Sequence, residues 1–192
     1  MEILARLFRR RPYPMDNVTQ RAQRLLVLAR READRFAQGS VGSEHLLLGL
    51  LALEEGVGFV TLKNLGADIG KIRKSVEAEL QYGQQFRVEP KIPARDELMR
   101  TLHRAGVEAE VLKKNYLGTE HILIALFAVE DGITYRALRS VADDPSVVRE
   151  MVVRTLATPE DQKKDLANQR PDGTSAEAPP SNPSQGAAVP HP

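Results

Sequence analysis

An eight-residue pattern occurs twice in this chain with only similar replacements, as Val41-Gly42-Ser43-Glu44-His45-Leu46-Leu47-Leu48 and as Leu117-Gly118-Thr119-Glu120-His121-Ile122-Leu123-Ile124. The copies are offset by 76 positions (118 − 42 = 76). The same offset carries Leu26, Ala29, Glu32, Ala33, Leu62, Asp68, Arg73 and Leu80 onto Leu102, Ala105, Glu108, Ala109, Leu138, Asp144, Arg149 and Leu156, without a gap. The matched set includes acids and arginines that apolar packing alone does not require, so a whole unit is duplicated.

The unit reads as helices. Val18, Ala22, Leu25, Leu26, Ala29, Ala33 and Phe36 form one stripe at three- and four-residue spacing, with Gly39 as its stop. Ser43 is expected as the N-cap of a second helix running through Leu46, Leu47, Leu50 and Leu51 to Gly56. A third covers 57–65 and closes on Gly66, and Asp68 caps a fourth through Ile72, Val76 and Leu80. In the second copy helices are expected over 95–114, 119–130, 133–141 and 145–156, with Thr119 and Asp144 as caps and Pro145 in a first turn that needs no amide hydrogen. No period-two alternation appears, so the fold class is all-α. Each four-helix copy closes only part of a core, and the two are expected to pack about an approximate two-fold axis.

The expected layout is a basic N-terminal arm over 1–15, a double-repeat domain over 16–157 and a disordered Pro-rich tail over 158–192. Within the domain, repeat one is 16–80, a linker containing Gly83, Pro90 and Pro93 is 81–93, and repeat two is 94–157. The arm sets Arg6, Arg9, Arg10 and Arg11 beside Ile3, Leu4, Leu7 and Phe8, and lacks a secretory cleavage pattern. The tail loses apolar residues and gains Pro159, Pro171, Pro179, Pro180, Pro183, Pro190 and Pro192, a composition that cannot offset the entropy of ordering.

Composition narrows the function. The net charge of +1 gives no global field for nucleic acid. The longest apolar run, 46–53, is far shorter than the roughly 20 residues that span a bilayer, so no stable membrane insertion is expected. With no cysteine there is no disulfide framework, thiolate nucleophile or Cys-based zinc site, which fits a reducing, cytoplasmic setting. The stretch Gly66-Ala67-Asp68-Ile69-Gly70-Lys71-Ile72 is not a phosphate-binding loop, because its glycines are one residue too close, Ile72 replaces Ser or Thr, and no strand precedes it. No nucleophile and base stand in a catalytic pattern, so neither enzymatic activity nor a cofactor is expected.

Two helical units, each with a Gly-Ser/Thr-Glu-His start to its second helix and an acidic-Gly end, resemble the Clp N-terminal repeat found in Clp unfoldases such as ClpA, ClpB and especially ClpC. Thr19-Gln20-Arg21-Ala22-Gln23, the segment 41–51 and the segment 65–80 are similar to the ClpC pattern, whereas 96–114 departs from it most. The resemblance spans about residues 16–157. It implies a domain that binds substrates or adaptors of a Clp protease or chaperone. Clp unfoldases continue into ATPase modules and this sequence does not, so a stand-alone, monomeric binding protein is expected. The alternative is an accessory subunit docking on a Clp protease assembly.

For the Glu-His strings two readings stand side by side. In one, Glu44 and Glu120 merely match the helix dipole behind a cap. In the other, the free amides at each helix start take a phosphate while the adjacent carboxylate takes a guanidinium, a combination suited to a phosphorylated arginine. The ClpC resemblance implies this ligand, with Glu44 and Glu120 on the guanidinium and Ser43 and Thr119 beside the phosphate. His45 and His121 have no second ligand at three- or four-residue spacing, so they are read as packed histidines bonded to nearby backbone rather than a metal pair.

Overall fold

The computed structural model describes residues 17–80, 96–130 and 132–157. The expected arm at 1–15, the linker at 81–93 and the tail at 158–192 lie outside the described residues. Among the described residues there are eight helices: α1 (Gln20–Arg35), α2 (Ser43–Leu53), α3 (Val57–Asn64), α4 (Ile69–Glu79), α5 (Asp96–Val111), α6 (Thr119–Phe127), α7 (Gly132–Arg139) and α8 (Pro145–Leu156). The fold is all-α, two tandem four-helix repeats related by a pseudo-two-fold axis.

Helices α2 and α6 form the centre. They are apolar on every side, and residues 43–51 and 119–127 are all buried. Within the repeats α1 crosses α2 and α5 crosses α6, while α4 and α8 close the respective backs. Across the axis α3 packs on α6 and α8, and α7 packs on α2 and α4. Each third helix therefore bridges the repeats, packing on its own repeat's second helix as well as on the other repeat, and neither repeat is a closed unit. Gly49 permits the tight α1–α2 crossing, since a Cβ there would stand 2.7 Å from the backbone nitrogen of Ala29.

The duplicated polar residues pin helix pairs. Arg149 donates two hydrogen bonds to Glu108, at 2.9 Å each, and Arg73 reaches Glu32 at 3.3 Å. Each pair ties the first helix of its repeat to the fourth, because 73 and 149, like 32 and 108, are equivalent positions. Asp68 accepts from the amide of Lys71 at 3.0 Å and Asp144 from that of Ser146 at 2.8 Å, so both aspartates are caps as expected. Helix α8 keeps its expected limits, with Pro145 in its first turn.

Several boundaries differ from the sequence reading, among them α5, which ends at Val111 rather than 114, and α7, which ends at Arg139 rather than 141. Helix α1 stops at Arg35, and Ala37 (φ 51°), not Gly39, takes the left-handed position, with the amides of Ala37 and Gln38 closing on Asp34 and Ala33. Its equivalent Lys113 (φ 55°) does the same after α5. Gly56 does not end α2, where Glu54 takes that role at φ 55°; it starts α3. Helix α6 ends at Phe127, three residues before the expected Glu130. No single helix among the described residues is long and apolar enough to cross a membrane, and the apolar α2–α3 pair is bent by 89°.

Candidate functional site

The two repeated strings form the starts of α2 and α6, and neither hydroxyl residue is the cap. Gly42 (φ −116°, ψ −177°) and Gly118 (φ −108°, ψ 175°) are the extended N-cap residues, and Ser43 and Thr119 are already helical. The capping role belongs to the histidines. Nδ1 of His45 accepts from the Gly42 amide at 3.0 Å, and Nδ1 of His121 accepts from the Gly118 amide at 3.0 Å. This is the second half of a capping box, with imidazole in the place usual for Glu or Gln. The reading of both histidines as packed and bonded to nearby backbone agrees with this geometry.

A ring that accepts at Nδ1 carries its proton on Nε2. Both Nε2 atoms are buried without a hydrogen-bond partner among the described residues. Burial pushes each histidine down to about 4, with the Lys114 charge adding to the effect at His121, so both rings are neutral at pH 7. The approaches of Glu44 to His45 (3.4 Å) and of Glu120 to His121 (3.7 Å) are therefore not ion pairs.

The acids themselves are nearly sealed. Glu44 is 5% exposed and Glu120 2%. The Glu120 carboxylate folds back over Gly118 and occupies the space that a Cβ there would fill. Each hydroxyl is engaged by the third helix of the other repeat: Thr119 Oγ1 accepts from the Gly58 amide at 3.1 Å, and Ser43 Oγ lies 2.9 Å from Thr134 Oγ1. Gly58 and Thr134 are equivalent positions, so the pseudo-two-fold holds at the starts. Ser43 also donates to Glu97 on α5.

The structure thus brings Ser43 and Glu44 together at one start and Thr119 and Glu120 at the other. It adds Gly58, Thr134, Glu97 and Arg21, which sequence reasoning missed. The constant offset identified which residues are equivalent, but it contains nothing about which residues touch across the axis.

An all-α double repeat whose third helices bridge the two halves, with twin histidine-capped helix starts, defines the class of domain. Residues 17–141 and 95–186 match the Clp repeat (R) N-terminal domain, and the chain belongs to that family. It is 35% identical over 145 residues to a probable ATP-dependent Clp protease ATP-binding subunit of Chlamydia pneumoniae, covering 74% of this chain and 17% of that protein. It is 34% identical over 141 residues to the chloroplastic chaperone protein ClpC1 of Arabidopsis thaliana, covering 73% of this chain and 15% of that one. The chain thus spans about a sixth of the length of these relatives. Among solved structures it is similar to the N-terminal domain of ClpD from Arabidopsis thaliana, with a TM-score of 0.59 and 24% identity over 76% of this chain and 97% of that one. It is also similar to a ClpV N-domain in complex with a VipB peptide, with a TM-score of 0.60 and 15% identity over 77% and 93% of the two chains.

Proposed function

We propose that this protein is a non-catalytic binding module that takes substrates or adaptors of a cytoplasmic Clp protease or chaperone system, using the α2 and α6 starts as sites for phosphorylated arginine. The observation that carries this reading is the pairing at each start of a carboxylate, Glu44 or Glu120, with first-turn amides and a hydroxyl, Ser43 or Thr119. First-turn amides favour a phosphoryl group, and the carboxylate favours the guanidinium attached to it. Membership of the Clp repeat family supports it, as does the peptide held by a ClpV N-domain of the same fold. Because both acids are almost fully covered, binding requires the side chains over each start to swing aside.

The test is calorimetric titration of the whole chain with a phosphoarginine peptide and its unphosphorylated twin. Binding of the phosphorylated peptide alone, abolished when Glu44→Gln and Glu120→Gln are combined at unchanged helicity, is expected. Equal binding of both peptides, or no binding, overturns the phosphoarginine reading. A second reading, docking as an accessory subunit on a Clp protease assembly, is favoured by Val107 and Val111, 37% and 58% exposed and one turn apart on α5. Co-purification with the protease core, lost on Val107→Ser and Val111→Ser and independent of substrate, would select it.

A further inference from the structure

The two starts share their own sequence but not the residue that the pseudo-two-fold brings beside them. Glu97, in the first turn of α5, accepts a hydrogen bond from Ser43 Oγ. The equivalent position in the first repeat is Arg21 (97 − 76 = 21), in the first turn of α1. Arg21 lies by the other start. A Cβ on Gly56 would meet Thr119 Oγ1 at 2.8 Å and Arg21 Cδ at 3.2 Å, so both side chains border one point. The mouth at α2 therefore carries two acids, Glu44 and Glu97, whereas at the α6 mouth Glu120 is joined by Arg21, whose Nε lies 3.6 Å from Glu55, so that this second acid comes with a cation.

Hydrogen-bond polarity separates the mouths as well. The single proton of Ser43 is given to Glu97, so Thr134 is the donor in the Ser43–Thr134 bond, and Ser43 has none left for a phosphate oxygen. Thr119 accepts from the Gly58 amide and keeps its proton to donate. We infer that Glu97 closes the α2 start to phosphoryl groups, making the α6 start the anion-accepting one, so that a domain with two copies of the site motif has one strong site for a phosphorylated guanidinium. The inference rests on the phosphoarginine reading above and adds a specificity-determining residue to it. A dianionic phosphoryl group at α2 meets a carboxylate already holding the local hydroxyl, and at α6 it meets a hydroxyl donor and an arginine that it would share with Glu55.

The experiment is titration of the full chain and of E97Q, E97A and R21A with a phosphoarginine peptide, reading stoichiometry and affinity, with circular dichroism to confirm folding. The expected result is a stoichiometry near one for the unmodified chain, with any second event weaker by at least about tenfold. E97Q and E97A should raise the stoichiometry toward two, and R21A should weaken the single strong event. Two equal sites in the unmodified chain, or a stoichiometry unmoved by both Glu97 variants, overturn the role of Glu97 while leaving the phosphoarginine reading intact. Absence of binding in every variant overturns that reading and this inference together.

Discussion

The two repeats hold their first and fourth helices together with the same pair of residues, yet they house that pair differently. In the second repeat Glu108 has a 4% exposed side chain and takes a bidentate contact from Arg149. In the first, Glu32 is 12% exposed and shared between Arg35 at 2.8 Å and Arg73 at 3.3 Å, while Arg73 and Arg35 both also reach Glu77. Duplication preserved the acid and the arginine because each helix pair needs a directional tie. The surroundings were free to diverge, giving a closed fork in one copy and an open, half-wet network in the other.

The largest expected effect tests that contrast. Glu108→Ala removes two charge-assisted hydrogen bonds from Arg149, a side chain 33% exposed that then turns to water, and should cost about 3 kcal/mol. Glu32→Ala leaves both arginines with Glu77 and water, and should cost about 1 kcal/mol. Urea denaturation of the two variants decides it, and equal losses would end the distinction between the repeats.

The next effect concerns the histidine caps, which are alike in geometry and differ in what surrounds them. Each ring titrates near 4 in the folded protein and near 6.5 when unfolded, so between those values the unfolded chain binds more protons. Stability from these groups is therefore fully present above pH 6.5 and is lost as pH falls toward 4. At about 1.4 kcal/mol for each tenfold change in proton affinity, the loss is roughly 3 kcal/mol per histidine. Thermal melts from pH 7 to 4 should show it, and H45Q with H121Q should flatten the profile. Lys114 adds its charge at His121 only, so Lys114→Ala should raise the His121 titration in an NMR experiment and leave His45 unmoved.

Much of this architecture is legible in the sequence. The constant offset predicted two equivalent four-helix units, and the stripe from Val18 to Phe36 predicted α1 to within a turn. Asp68 and Asp144 were legible as caps because a carboxylate before a helix has few other local uses. Ser43 and Thr119 misled for a related reason. A hydroxyl before an apolar run is the usual cap, but here glycine supplies the extended turn and histidine, three positions after that glycine, supplies the acceptor. Left-handed Ala37 and Lys113 were invisible because neither is glycine, and they persist because the helix-closing hydrogen bonds around them hold the turn. The site composition was least legible. Glu44 and Glu120 stand in the repeated strings, while Glu97 and Arg21 reach the starts only through packing across the axis.

That packing supplies the smallest of the expected effects, at the equivalent positions 58 and 134. Gly58 of α3 sits so close to α6 that a Cβ would stand 2.5 Å from the carbonyl oxygen of Thr119, an atom fixed in helical backbone. Thr134 of α7 carries a full side chain at the matching place and spends its hydroxyl on Ser43, so α7 must stand farther from α2 than α3 does from α6. Gly58→Ala gains slightly in helix propensity, but it must push the repeats apart or bend α3, and overpacking of this kind costs about 1–3 kcal/mol. Thr134→Ala removes one hydrogen bond and leaves the gap as it was, for about 1 kcal/mol. Denaturation midpoints should therefore rank Gly58→Ala below Thr134→Ala. Because the Gly58 amide also positions the Thr119 hydroxyl, Gly58→Ala should weaken phosphoarginine binding at α6 more than Thr134→Ala does. The opposite order in both measurements would mean that the two third helices seat alike and that the asymmetry is confined to Glu97 and Arg21.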